Sequence, residues 1–182
     1  MTFKILIDFL ALIALYVFFF RRKWKARGKD VLMVNTTMYI YLSFVLFFTL
    51  MPIITALPFI FDHPYVVYLD PFSDYMNGRG DATRQIVLNV IMTVPFGFLF
   101  PLTQRKSQRI LLRTLLFTFL LSLIIELVQP LFHGSRSCDV TDLITNSLGG
   151  VIGYVFYLIF RPVTSSILRR VRGGTRKTHS SD

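Results

Sequence analysis

Apolar residues run through this chain in stretches of about twenty, the length that crosses a bilayer core of roughly 30 Å. The stretches are Phe3–Phe20, Val34–Leu57, Gln85–Leu102, Leu111–Leu131 and Asp142–Phe160, with polar or charged links between them. The pattern predicts an all-α fold, a polytopic transmembrane helical bundle of about five spans. Pro52 and Pro58 mark a kink or stop toward the far end of the second stretch, and Pro95 and Pro101 can bend the third.

The polar residues inside these runs are not scattered. Thr118, Ser122, Glu126 and Gln129 recur at helical spacing in the fourth stretch, and Asp139, Asp142, Asn146, Gly149 and Gly153 do so in the fifth. Asn89, Thr93 and Gly97 share a face of the third. The fourth and fifth stretches are joined by a short link, which predicts antiparallel neighbours with Glu126, Gln129, Arg136, Asp139, Asp142 and Asn146 at one end of the pair. Glu126 lies five residues before Leu131, about 7.5 Å below that end at about 1.5 Å per residue. A carboxylate at that depth needs a partner; Arg136 is the obvious cation, and a protonated Glu126 donating to Asn89 or Asn146 is the alternative.

Composition agrees with a membrane protein. Hydrophobic residues make up 53% of the chain and charged residues 16%, and the mean hydropathy is +0.57. A net charge of +10 would suggest nucleic acid in a soluble protein, but the cations sit between and after the apolar runs, so they read as topology signals, and no nucleic-acid motif accompanies them. Arg21, Arg22, Lys23, Lys25, Arg27 and Lys29 follow the first run; Arg105, Lys106, Arg109 and Arg113 follow the third; Arg161, Arg169, Arg170, Arg172, Arg176 and Lys177 follow the fifth. These segments are expected in the cytoplasm, giving an N-terminus outside and a C-terminus inside. The first run has no basic leader or cleavage pattern and is read as a retained helix.

The resulting division is an N-terminal helix with its basic link over residues 1–33, a four-span membrane domain over 34–160, and a basic cytoplasmic tail over 161–182, with an interfacial first part and a disordered end. The loop from Phe59 to Arg84 is expected outside. It is rich in aromatic residues, which reads as an anchor belt at the headgroups.

Several chemistries compete for the polar cluster. Metal binding has ligand types available in His63, His133, Glu126, Asp139 and Asp142, but no H-E-x-x-H or paired histidine spacing, so no metal or cofactor is assigned. A hydrolase built from His133, Ser135, Ser137 and Asp139 lacks the G-x-S-x-G elbow. The single cysteine, Cys138, excludes an intramolecular disulfide. Glu126 with Asp139 or Asp142 allows an acid–base pair. Ligand recognition makes the fewest demands: Arg136 can grip a phosphate or carboxylate, and the carboxylates an amine. Gln129 and Asn146 serve equally well as glue between helices, and Pro95, Gly97, Gly149, Gly150 and Gly153 are assigned to close helix packing.

The ordered set Asn89-x5-Pro95-Phe96-Gly97-Phe98, Glu126-Leu127-Val128-Gln129 and Arg136-x2-Asp139-x2-Asp142-x3-Asn146-x2-Gly149-Gly150-x2-Gly153, with Asp70-Pro71-Phe72 before it, resembles the VanZ-like family over roughly Thr36 to Phe160. The resemblance implies a multi-pass protein of the bacterial cytoplasmic membrane. The family takes its name from a protein linked to low-level resistance to teicoplanin, a lipid-bearing glycopeptide, and brings no settled reaction with it. The expectation is therefore a membrane protein, more readily non-enzymatic, that binds a lipidic or headgroup ligand at the outer leaflet and lowers susceptibility to such agents. Its partners would be membrane lipids and a lipid-linked envelope precursor or lipoglycopeptide. The alternative is a membrane enzyme or carrier acting on lipid-linked envelope molecules.

Overall fold

The computed structural model describes residues 2–60, 65–104, 109–132 and 136–173. Phe61, Asp62, His63, Arg105, Lys106, His133, Ser135 and the tail beyond Gly173 lie outside the described residues. The order of elements is α1 (Thr2–Leu15), a π-helical turn (Tyr16–Phe20), α2 (Arg21–Arg27), α3 (Lys29–Thr49), a 3-10 turn (Leu57–Phe59), β1 (Val67–Tyr68), α4 (Ser73–Met76), α5 (Ala82–Thr103), α6 (Ile110–Phe132), β2 (Cys138–Asp139) and α7 (Val140–Gly173). Among the described residues, five helical stretches are long and apolar enough to cross a membrane: Phe3–Arg27, Lys29–Thr49, Ala82–Thr103, Ile110–Phe132 and Val140–Gly173. The protein is an all-α, multi-pass helical bundle.

The helix boundaries depart from the hydropathy pattern at charged residues. The first helical stretch continues through the cations to Arg27, because arginine and lysine sustain a helix well and nothing breaks it before Gly28. Gly28 adopts φ 124°, open to glycine, and α3 starts at once with Lys29 rather than Val34. The hairpin so formed is antiparallel: Tyr16 pairs its hydroxyl with Thr36 at 2.8 Å, Tyr39 donates to the Leu12 carbonyl at 2.7 Å, and Phe9 meets Phe47. α3 stops at Thr49 rather than Leu57, since Pro52 has no N–H with which to continue it. α7 likewise runs past Phe160 to Gly173, taking Arg161, Arg169, Arg170 and Arg172 into one long helix with Pro162 inside it.

The tightest packing joins α5 to α7. A Cβ on Gly97 would run into the Gly150 backbone oxygen, and one on Gly153 into the Val94 carbonyl. Gly149 lies against Thr93 and the Val90 carbonyl, and Gly150 against the side chain of Thr118 on α6. The helices approach backbone to backbone, which is how membrane helices gain dispersion contact where lipid supplies no hydrophobic drive. A small apolar core of Met38, Phe96 and Phe100 joins α3 to this pair. Pro95 and Pro101 both sit inside an unbroken α5. Tyr41 of α3 donates its hydroxyl to the Met92 carbonyl at 2.8 Å, in the turn that Pro95 loosens.

The bundle has two unlike ends. One carries the α2–α3 joint, the end of α5, the start of α6 and the end of α7, with their cations. The other carries the start of α1, the long connection from Leu50 to Asp81, and the α6–α7 link.

Candidate functional site

The polar face of α6 turns inward. Thr114, Thr118, Ser122, Glu126 and Gln129 are all buried. The lower hydroxyls spend their donors on their own helix: Thr114 donates to the Ile110 carbonyl and Thr118 to the Thr114 carbonyl, both at 2.8 Å. Glu126 has no such local outlet. Only 2% exposed, its Oε2 accepts the backbone N–H of Asp139 at 3.2 Å. Asp142, Asp139 and Arg136 are its charged neighbours.

Asp139 does two jobs. Its backbone serves Glu126, and its side-chain Oδ1 accepts the N–H of Thr141 at 2.7 Å, capping the start of α7. Asp142 follows in the first turn of α7, half-buried, with Asp139 and Arg136 as charged neighbours and the Asn89 amide of α5 beside it. Asn89 Nδ2 is buried and makes no hydrogen bond of good geometry. Arg136 is exposed at the rim and forms no ion pair among the described residues. The carboxylate of Glu126 is thus met by a main-chain donor, not by Arg136 or by Asn89 or Asn146.

One turn deeper lies a second polar layer. Asn146, 1% exposed, donates from Nδ2 to the Ser122 hydroxyl at 3.0 Å, while its Oδ1 is buried without a partner. Thr93 reaches across from α5 and donates to the Asn146 carbonyl at 2.7 Å and to the Asn89 carbonyl at 3.1 Å. Asn89 and Asn146 are therefore neighbours through Thr93. An acceptor left open in so closed a place, Asn146 Oδ1, is costly and marks where water or a ligand's polar donor would be received.

A strap from the long connection covers this end. β1 pairs in parallel with β2, Val67 opposite Cys138 and Tyr68 opposite Asp139. Cys138 donates its N–H to the Val66 carbonyl at 2.9 Å, Tyr65 its hydroxyl to the Leu127 carbonyl at 3.1 Å, and Phe72 its N–H to the Thr141 hydroxyl at 2.9 Å. The strap is thus fastened to α6, to the link and to α7. Tyr65, Tyr68, Leu69 and Tyr75 remain exposed on it. Burial, and then the negative charges of Glu126, Asp139 and Asp142, push the Cys138 thiol above its ordinary value. Partial loss of water around its hydroxyl raises the Tyr65 phenol, with Cys138 and Glu126 adding to the shift.

Of the residues singled out in the sequence, Asn89, Glu126, Arg136, Asp139 and Asp142 gather at one level. Asn146 lies below them with Ser122, and Gln129 is buried in the last turn of α6 toward the link. Pro95 lies in the interior of α5, while Gly97, Gly149, Gly150 and Gly153 form the α5–α7 contact. Among the described residues no group of three His, Cys, Asp or Glu side chains is arranged to hold a metal ion. Sequence reasoning passed over Asp8. Its carboxylate, 3% exposed, accepts the N–H groups of Ile53 at 2.6 Å and Ile54 at 3.0 Å and pins the chain where α3 ends. A lone acid in an apolar run was the available signal.

The family model described as VanZ/LLP1 matches residues 6–161, and the chain belongs to that family. No curated protein and no solved structure matches it.

Proposed function

We propose that this member of the VanZ/LLP1 family lies in the bacterial cytoplasmic membrane with its N-terminus outside and its C-terminus inside, so that the strapped polar end opens to the outer leaflet. There it binds a lipid-tailed or lipid-linked envelope molecule and lowers susceptibility to teicoplanin-like lipoglycopeptides or other envelope-active agents. The observation that carries this reading is the convergence of Glu126, Asp139 and Asp142 with Arg136 beneath the strap, with the Asn89 amide beside Asp142 and the open Asn146 Oδ1 one turn deeper. Packing alone does not call for three carboxylates and an arginine at one spot. The carboxylates suit an amine, the two amides suit neutral polar groups, and the exposed guanidinium suits a phosphate or carboxylate at the rim. Tyr65 and Tyr68 give an apolar cover. The orientation is supported by the gathering of cations at the opposite end.

The test is titration of teicoplanin, and separately of a lipid-linked wall precursor, into the purified protein in nanodiscs. Saturable binding of one of them that is weakened in Glu126→Gln supports the reading. Absent binding, or equal binding by the variant, overturns it. The proximity of two carboxylates, Glu126 and Asp142, favours one second reading, an acid–base enzyme on the same lipid-linked molecules. A changed membrane lipid profile by mass spectrometry, dependent on both groups, would select it.

A further inference from the structure

At the cationic end, α3, α5 and α7 enclose a cleft of about 360 Å³, within the size range of small-ligand sites. It is separate from the polar cluster at the other end. Its floor includes Val34 and Leu168, and Asn35 and Gln104 line it with amides. Two arginines of α7 also line it, about three helical turns apart. Arg172 lies 3.6 Å from the buried carboxylate of Asp30 in the first turn of α3. Arg161 is exposed at the cleft and forms no ion pair among the described residues.

We infer that this cleft is a binding site for the phosphodiester headgroup of an anionic phospholipid. Among the described residues the one acid lining the cleft, Asp30, is already answered by Arg172, so Arg161 leaves this lining with a net positive charge. A phosphate meets that charge, the amides of Asn35 and Gln104 serve the glycerol and ester oxygens, and the apolar floor takes the start of the acyl chains. A zwitterionic lipid fits less well. Its amine would enter a cleft whose one acid among the described lining residues already faces Arg172. The apolar floor favours a lipid over free phosphate. The cleft also lies where α5 ends and α7 passes into its cationic turns, the level at which headgroups meet a bundle.

Native mass spectrometry of the purified full chain tests this, with phosphatidylglycerol and phosphatidylcholine offered in equal amounts. The wild type is expected to retain phosphatidylglycerol about fivefold over phosphatidylcholine, the effect of one cation at an anionic interface. Arg161→Gln should bring the two to parity, while Arg161→Lys keeps the preference. Arg169→Gln makes the same charge change on the same helix outside the cleft and should also keep it. Matched thermal melts confirm that each variant is folded. No preference in the wild type, or equal loss in Arg161→Gln and Arg169→Gln, overturns the site in favour of diffuse attraction. Displacement of bound phosphatidylglycerol by millimolar inorganic phosphate overturns the lipid assignment in favour of a soluble anion.

Discussion

Glu126 and Asp139 are joined by a hydrogen bond from a main-chain N–H to a buried carboxylate, 3.2 Å long, across the turn between α6 and α7. The same Asp139 caps α7 through its side chain, so a single residue couples the acid of one helix to the start of the next. Glu126→Gln keeps an oxygen in place for that N–H, and should melt close to wild type in detergent. Glu126→Ala leaves the donor without an acceptor and should lose about 1–3 kcal/mol, read as a lower melting temperature.

The glycine contact between α5 and α7 makes a graded prediction. Gly97→Ala puts a methyl group into the Gly150 backbone, which has nowhere to go, and should cost about 1–3 kcal/mol. Gly150→Ala meets the Thr118 side chain, whose Cβ at 2.8 Å no rotamer change moves, so α6 must give way. That helix is separate and packs less closely on α7 than α5 does, so the cost should be smaller. Thermal unfolding of the two variants side by side checks the order.

Asp8 holds two backbone N–H groups that no helix supplies with acceptors. Asp8→Ala should speed hydrogen exchange at Ile53 and Ile54 by about 5- to 150-fold, for a loss of about 1–3 kcal/mol in the two bonds. Exchange in the α5–α7 contact, which Asp8 does not touch, should be unchanged. Hydrogen-exchange mass spectrometry over the segment after α3 reads both.

Cys138 reports on the electrostatics of the strapped end from outside the spans. Its thiol is pushed upward by burial first and by Glu126, Asp139 and Asp142 next, and the thiolate is the reactive form. Alkylation should therefore rise with pH later than for a free cysteine, and denaturation in SDS should restore the ordinary profile. Glu126→Gln should move the profile back toward lower pH only in part, because burial remains the larger cause. A folded protein that alkylates like a free thiol contradicts this.

Much of this arrangement was legible in the chain. Helical spacing put Thr118, Ser122, Glu126 and Gln129 on one face, and all are buried. The glycines of the third and fifth stretches announced a close contact, and Gly97 meets the Gly150 backbone. Other features left no local trace. The strap depends on a strand of two residues pairing with another some seventy positions later, a signal too short to show as alternation. The helices outrun the apolar stretches at Arg21–Arg27 and Arg161–Arg172, because hydropathy falls at a charge while helix propensity does not. The partner of Glu126 was hidden for a similar reason: side-chain types suggest Arg136, whereas the donor is a peptide N–H, which every non-proline residue carries.

The most direct test of the proposed role is drug susceptibility in a teicoplanin-sensitive bacterium expressing the protein at matched membrane levels. Wild type should raise the inhibitory concentration of teicoplanin, and Glu126→Gln and Arg136→Ala should each fall back toward the empty vector. Equal protection by all three proteins would contradict the account, since the polar cluster would then have no part in whatever protection the chain confers.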